Sequence, residues 1–505
     1  MNSKVKIIGI AGLLLAIGGV NFYFANGIHA TPFAAWLAPI FLLRFSRITK
    51  PWIGPALLGV VAAIATWLGF RYLIPVGETE LILLAASAGF VVAIIFLIDR
   101  LVAPRLTGIA ATLVYPTATV SALLIGSLGA PFGTWGNDAY IQYEFLWLSR
   151  LSSILGLWGV AFLPAWFAAI VNQWIEGGFR SPRRLRSAVV FAVTITLVLG
   201  NGILAGINWR NAPSAVMVGL IGGLADKPDF GDCDQSDWAC RGARLDKRHN
   251  EPLFARSAAL VEQGAKIIAW PEAGAIYPKS VEPKFLEQVS RFATDNNVYL
   301  IAGLAALPET QSGLIENKVV IFAPDGRRSK PYFKAYPVPG EPVVPGDGGP
   351  MLFETRYGRI AALICFDADF TGPARAAARA GAELLVIPSN DWAEITPLHA
   401  EMAAFRAMET GLPIVRPTTN GLSAVIAPTG TITASANSFV DGQDTLLAPV
   451  RLSARPTIQR QLGDAFGWLC LIALVALIFL GILRSRALRR GPDEDAITKG
   501  NGIAQ

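Results

Sequence analysis

Eight apolar stretches, each close to the length needed to cross a bilayer, constrain this chain more than anything else in it. They lie at about 6–24, 30–46, 52–74, 80–99, 106–128, 153–174, 188–208 and 464–483. A spanning helix needs roughly 20 predominantly apolar residues. The chain is 53% hydrophobic and 16% charged, whereas an ordinary soluble domain carries roughly 25% charged residues. The deficit is confined to these stretches, and 211–463 reads like a soluble domain large enough for a core of its own. The first stretch has no clear small-residue cleavage site, and more spans follow, so it reads as a retained helix rather than a signal peptide.

The basic residues fix an orientation. Lys4 and Lys6 precede the first stretch, and Arg44, Arg47 and Lys50 follow the second. Arg100 and Arg105 lie between the fourth and fifth, and Arg180, Arg183, Arg184 and Arg186 between the sixth and seventh. Arg484, Arg486, Arg489 and Arg490 follow the eighth. All five clusters fall on one side if the N-terminus is cytoplasmic, as the positive-inside rule requires. The expected organisation is therefore a seven-helix membrane domain at 1–210, an extracytoplasmic domain at 211–463, an eighth span at 464–483, and a basic tail at 484–505 expected to be disordered. The net charge of +6 is accounted for as a topology signal, and no nucleic-acid partner is expected. The connection 129–152 holds Trp135, Tyr140, Tyr143, Phe145 and Trp147. It reads as an aromatic interfacial belt, with a lipid-facing rim beneath the soluble domain as the functional alternative.

Within 211–463, short apolar runs alternate with helical patterns. Strands are expected at 215–221, 266–270, 298–303, 319–322, 360–364, 384–387, 414–416 and 424–427, and helices at 247–263, 281–295, 371–380 and 397–410. Several of the strand runs are continuously apolar, so both faces should be covered, as in an α/β domain. Three strand ends lead into polar residues: Trp270-Pro271-Glu272, Ile364-Cys365-Phe366-Asp367 and Ser389-Asn390-Asp391-Trp392. In α/β folds, sites gather beyond the carboxyl ends of strands.

A cysteine nucleophile needs a base and a stabilised oxyanion. His249 and His399 are the histidines of this region, and neither follows a strand end, so Glu272 is the candidate base, suited to the task if burial raises its pKa. Lys334, in Pro331-Tyr332-Phe333-Lys334-Ala335-Tyr336, is the candidate oxyanion partner. Each residue alone also has an ordinary structural reading: a buried thiol, a turn, a loop lysine. The sequence carries no HExxH, paired CxxC, GxSxG or phosphate-binding loop, so neither a metal nor another cofactor is expected. Cys233 and Cys240 would be free to pair in an oxidising compartment, but their spacing alone leaves the question open. Cys470 lies within an apolar stretch.

These motifs resemble the nitrilase (carbon–nitrogen hydrolase) superfamily, which uses a Glu-Lys-Cys triad in an αββα sandwich. The matching stretches are Trp270-Pro271-Glu272, Tyr332-Phe333-Lys334, Val338-Pro339-Gly340-Glu341, Ile364-Cys365-Phe366-Asp367, Ser389-Asn390-Asp391-Trp392, Arg406-Ala407-Met408-Glu409 and Thr419–Ile426. With the eight spans, the chain is similar to the membrane-embedded branch, the apolipoprotein N-acyltransferase family. That resemblance implies Glu272, Lys334 and Cys365 as catalytic residues and Glu341 as the second essential glutamate, with Phe366, Asp367, Asn390 and Trp392 around them. It implies acyl transfer from a membrane phospholipid, through a thioester, to the N-terminal amine of a diacylated lipoprotein, in a bacterial inner membrane with the catalytic domain in the periplasm. The sequence departs from the family pattern where Pro339 meets Gly340 directly, where Cys365 is followed by Phe366-Asp367 instead of Tyr-Glu, and at Ala273. An acyltransferase with another acceptor, an amidase that releases its acyl group to water, and an inactive membrane scaffold are the competing readings.

Overall fold

The structure, a computed structural model, describes residues 3–489 except 75, 130, 179–180, 211–214, 224–232, 234–239, 241–243, 311–312, 441 and 443–444. The tail from Arg490 on, Arg180 and Ala130 lie outside these residues.

Eight helices occupy the eight apolar stretches: Ser3–Tyr23, Pro32–Ile48, Ile53–Phe70, Glu78–Val102, Ile109–Gly129, Ser152–Gly177, Pro182–Arg210 and Ala465–Arg489. Among the described residues, seven of them are long and apolar enough to cross a membrane. The second, Pro32–Ile48, has 17 residues and sits at the lower limit of spanning length. It packs into the interior of the bundle, where Arg47 bridges the buried Asp99 at 2.9 Å and reaches Glu176 at 2.9 Å. All eight expected stretches are therefore helical, seven of clear spanning length and one, Pro32–Ile48, at the lower limit. On the outer surface the bundle presents bare apolar side chains such as Ile8, Leu83, Phe90, Leu197 and Ile472. Such a surface is tolerable only in contact with lipid or another protein.

The α/β region holds two sheets. The first contains β1 (Val216–Ile221), β2 (Ile267–Ala269), β3 (Ala275–Pro278), β4 (Tyr299–Leu307), β5 (Glu316–Phe322) and β6 (Tyr332–Phe333). The second contains β7 (Leu352–Thr355), β8 (Gly358–Ala362), β9 (Leu384–Val386), β10 (Ile414–Arg416), β11 (Leu422–Ile426) and β12 (Ile432–Asn437). The last strand, β13 (Thr445–Val450), returns to pair antiparallel with β1. The orders are β13-β1-β2-β4-β5-β6, with β3 on β4, and β12-β11-β10-β9-β8-β7. One core cluster joins both sheets, with Val218, Ile267, Ile301 and Ile321 of the first among Ile360, Leu385, Val415 and Val425 of the second. Helices Glu251–Glu262 and Glu282–Asp295 supply Leu253, Leu260, Phe285 and Val289 to the outer face of the first sheet, and helices Thr371–Arg379 and Thr396–Thr410 supply Ala374, Ala377, Ala403 and Ala407 beside the second. The layers are therefore αββα. The continuously apolar strands are explained by this arrangement, since β2, β8 and β9 are covered on both faces.

The connection 130–151 departs from a simple interfacial belt. Trp147 is exposed, but Tyr140 is buried, and Phe405 of the α/β region packs edge-on against it at 5.1 Å.

Candidate active site

Parallel strands β2, β8 and β9 end on the same side of the two sheets, and their last residues hand the chain to Glu272, Cys365 and Ser389-Asn390-Asp391. The passage from β2 is tight. A side chain at Gly303 on β4 would meet the Pro271 carbonyl at 1.9 Å, so only glycine lets Pro271-Glu272 cross over that strand.

Glu272 is buried, and its Oε1 accepts from Asn317 Nδ2 at 2.7 Å and from Lys334 Nζ at 2.9 Å. The Lys334 ammonium also donates to Glu341 Oε2 at 2.7 Å, and the Val338 amide donates to the same oxygen at 3.0 Å. Lys334 is thus held between two carboxylates by the loop that follows β6. Burial by itself would lower its pKa. The charges of Glu272, Cys365 and Glu341 outweigh that, and Lys334 is held above the ordinary lysine value. It is a fixed cation.

Cys365 opens a short helical turn, Cys365–Asp369, directly after β8. Its φ is +45° and that of Ala273 is +49°. Left-handed backbone in a non-glycine residue costs on the order of 1–3 kcal/mol and persists where surrounding contacts impose it. Here the Cys365 amide is bound to the Pro388 carbonyl at 2.8 Å, and its thiol lies 3.8 Å from the Asn390 carbonyl. Burial, reinforced by Glu272, pushes the thiol well above its ordinary value, with Lys334 pulling the other way. A thiol in this setting stays protonated at neutral pH until a base removes its proton.

The remaining candidates fall into two groups. Asp367 is buried and accepts from Tyr332 Oη at 2.9 Å, the Ala335 amide at 3.0 Å, the Tyr336 amide at 2.8 Å and the Ile364 amide at 3.0 Å. It therefore pins the Lys334 loop to the turn bearing Cys365, and burial raises it to about 7 despite those donors. Phe366 is buried edge-on to Phe370, on which Tyr336 stacks at 3.8 Å. Asn390 contributes its carbonyl, while its side chain turns outward to Asn420. Trp392 points away from the thiol and donates to the Leu73 carbonyl of the membrane region at 3.1 Å.

A second cluster lies against Cys365. His399 Nδ1 is 2.7 Å from Asp391 Oδ1, and its Nε2 is 3.1 Å from Asp369 Oδ1. Arg416 donates to Asp391 Oδ1 at 2.7 Å. Ligand atoms of Cys365, Asp391 and His399 fall within 4.8 Å of one another, a spacing that metal ligands share. The Arg416 guanidinium, 2.7 Å from Asp391 and 2.9 Å from His399 Nδ1, already neutralises this group with a fixed charge, which disfavours a divalent ion there. Burial would lower His399, but Asp369 and Asp391 outweigh it and raise it to about 9. Asp391, which burial would raise, is held below its ordinary value by Arg416 and His399.

Residues 239–457 match the carbon–nitrogen hydrolase family. The α/β region therefore carries a carbon–nitrogen hydrolase domain. Along a longer stretch it is similar to several proteins named apolipoprotein N-acyltransferase. That of Geobacter metallireducens is 26% identical over 383 residues, covering 69% of this chain and 70% of its own. That of Rhodopseudomonas palustris is 25% identical over 470 residues, 84% and 83% of the two chains. A third, from Gloeobacter violaceus, is 41% identical over 161 residues, 31% of this chain and 30% of its own.

Part of the neighbourhood of Cys365 leaves no mark in the sequence. His399 was set aside because it follows no strand end. It sits inside helix Thr396–Thr410, and packing of that helix beside the second sheet brings its ring within 4.8 Å of the Cys365 thiol. Asn317, Asp369 and Arg416 carried no local signal either. Among the membrane helices lies a cavity of about 360 Å³, walled mostly by apolar side chains such as Leu42, Ile95 and Phe96, with Phe132, Thr134 and Trp135 also in its lining. Cys233 and Cys240 form a disulfide, and Cys365 and Cys470 are free.

Proposed function

We propose that this chain is a membrane-embedded N-acyltransferase that moves a fatty acyl chain from a phospholipid, through a thioester on Cys365, to the N-terminal amine of a diacylated lipoprotein. The observation that carries the reading is a contact: an apolar cavity among the membrane helices is lined in part by Thr134 and Trp135, and these residues contact Asp369 in the turn that bears the candidate nucleophile. A soluble amidase has no use for such a cavity. The similarity to proteins named apolipoprotein N-acyltransferase over as much as 84% of the chain supports the same reading.

In this mechanism Glu272 takes the thiol proton and the Cys365 thiolate attacks the ester carbonyl. The developing oxyanion is met by the Lys334 ammonium and the Phe366 amide. The tetrahedral intermediate expels the glycerol alkoxide, which takes the proton back from Glu272 and leaves as lysophospholipid. A neutral amine then attacks the thioester. Glu272 accepts its proton and returns it to the departing thiolate, giving an amide and free Cys365. Glu341 holds Lys334 in place. The phospholipid ester supplies the activated acyl group, and no cofactor enters the scheme.

The α/β domain at 211–463 is placed on the periplasmic side of a bacterial inner membrane in this reading, with spans on either side. The five basic clusters favour that orientation, and the disulfide is of a kind that persists in oxidising compartments.

The test is intact mass of the purified protein after incubation with phospholipid, for wild type and Cys365→Ala. A gain of one acyl chain, labile to hydroxylamine and lost in the variant, is expected. Absence of the adduct together with absence of lysophospholipid and free fatty acid overturns the phospholipid-donor mechanism. Because the attacking amine must be neutral, transfer falls toward acid pH, and a flat profile from about pH 5 to 8 contradicts amine attack.

A further inference from the structure

Three consecutive residues of the membrane-side connection, Gly133, Thr134 and Trp135, dock on one residue of the nucleophile turn. The Thr134 amide and hydroxyl donate to the Asp369 carbonyl at 3.0 and 2.6 Å. Trp135 Nε1 donates to Asp369 Oδ2 at 2.6 Å. Gly133, at φ +56°, approaches so closely that a side chain there would meet the same carbonyl at 2.8 Å. The other oxygen, Asp369 Oδ1, is 3.1 Å from His399 Nε2, and His399 lies within 4.8 Å of the Cys365 thiol. Asp369 is fully buried. It is therefore tied to Cys365 covalently, four residues along the same turn, and lies at ion-pair distance from an imidazole that is itself within 4.8 Å of the thiol.

These contacts have no counterpart in the Glu272–Lys334–Glu341 set, which belongs wholly to the α/β region. They also place the wall of the apolar cavity, Thr134 and Trp135, in direct contact with the turn that presents the thiol. We propose that Asp369 and His399 are positioning residues through which the Gly133–Trp135 segment of the membrane domain sets the placement of Cys365, so that the membrane domain completes the active site rather than only anchoring it. The inference uses the acyl-transfer reading for one arm of its test and not for the other. Neither residue exchanges a proton with substrate in this account. Asp369 accepts from the loop on one side and holds the imidazole on the other, and the imidazole in turn is fixed by Asp391 and Arg416.

The experiment uses the full-length protein in detergent, in a Cys470→Ala background, with Trp135→Phe, Asp369→Asn and the double variant. Trp135→Phe keeps an aromatic ring, smaller than the indole, and deletes the donor, and Asp369→Asn keeps the shape and deletes the charge. The first arm follows alkylation of Cys365 by iodoacetamide through intact mass, which requires no lipid. The second follows thioester formation with phospholipid. Each single variant is expected to slow alkylation about tenfold or more and to lower kcat for thioester formation by a similar factor, with KM changed less than about twofold. The double variant is expected to be no slower than the worse single one, because both cut the same path. Lowered thermal stability with unchanged alkylation and unchanged kcat overturns the proposal, as does strict additivity. Should Asp369→Asn fail to fold, Trp135→Phe decides. If wild type forms no thioester yet the variants still slow alkylation, the acyl-transfer reading fails while the positioning role stands.

Discussion

The two sides of Cys365 are built differently. On one side, Glu272, Lys334 and Glu341 place a single ammonium between two carboxylates, drawn from a strand end and the loop after β6. On the other, Asp369, Asp391, His399 and Arg416 form a more nearly balanced set of two carboxylates, an imidazole and a guanidinium, drawn from a turn, a strand end, a helix and β10. The first set has a free carboxylate function to spare for proton transfer. In the second, Asp391 Oδ1 is shared by a cation and a histidine, and Asp369 is spent on the histidine and the membrane-side loop. In the mechanism we propose, the first group exchanges protons and the second holds geometry. Both surround a thiol that burial keeps protonated.

The largest effects should come from the first side. Glu272→Gln is expected to reduce thioester formation by about 10²–10⁴-fold, measured in single turnover with phospholipid, since a positioned base contributes that much. An effect under about tenfold would move the base elsewhere. Lys334→Met should abolish detectable transfer and also destabilise the fold by about 3–5 kcal/mol, because it leaves Glu272 and Glu341 buried or half-buried without their cation. Denaturant titration of the purified variant would read that loss.

On the second side the expected effects are on stability and its pH dependence. His399 is raised to about 9 in the folded protein from roughly 6.5 in an unfolded chain. Its protonated form therefore contributes stability that is fully present below about pH 6.5 and is lost as pH rises through about 9, on the order of 3 kcal/mol across that window. The groups facing it are Asp369, Asp391, Arg416 and Cys365. His399→Gln should flatten the fall of thermal midpoint between pH 6.5 and 9, and an unchanged slope would mean that the imidazole is neutral in the folded state. The smallest effect belongs to Tyr332→Phe, which removes one of four donors to Asp367 and should cost about 1 kcal/mol, with the pH profile of transfer unaltered. A shifted profile would give Asp367 a part in proton transfer.

How far the site could be read in advance follows from the same division. Glu272 and Cys365 stand at the ends of apolar runs bounded by turns, so their strands announced them. Lys334 and Glu341 stood out through their flanking aromatics and the family resemblance. His399 lies in the first turn of helix Thr396–Thr410 with no strand end before it, and Asp369 follows Cys365 by four residues with nothing to mark it. The strands show the same pattern: β2, β4, β5, β8 and β9 are apolar and legible, whereas β6 is two residues long, β12 (Ile432–Asn437) is largely polar and β13 contains Pro449.

The sequence by itself determined the apolar helices, the side on which basic residues gather, the alternation that demands a covered α/β sheet, and the three strand ends that carry chemistry. These are local properties: hydropathy over about 20 residues, periodicity over a few, and charge between them. Only the tertiary structure decided that His399 reaches Cys365, that Arg416 neutralises Asp391, and that Gly133–Trp135 closes on Asp369, 234 residues away from Trp135. Those contacts join segments with no sequence proximity, and they arise from packing one helix on the second sheet and one loop against a turn.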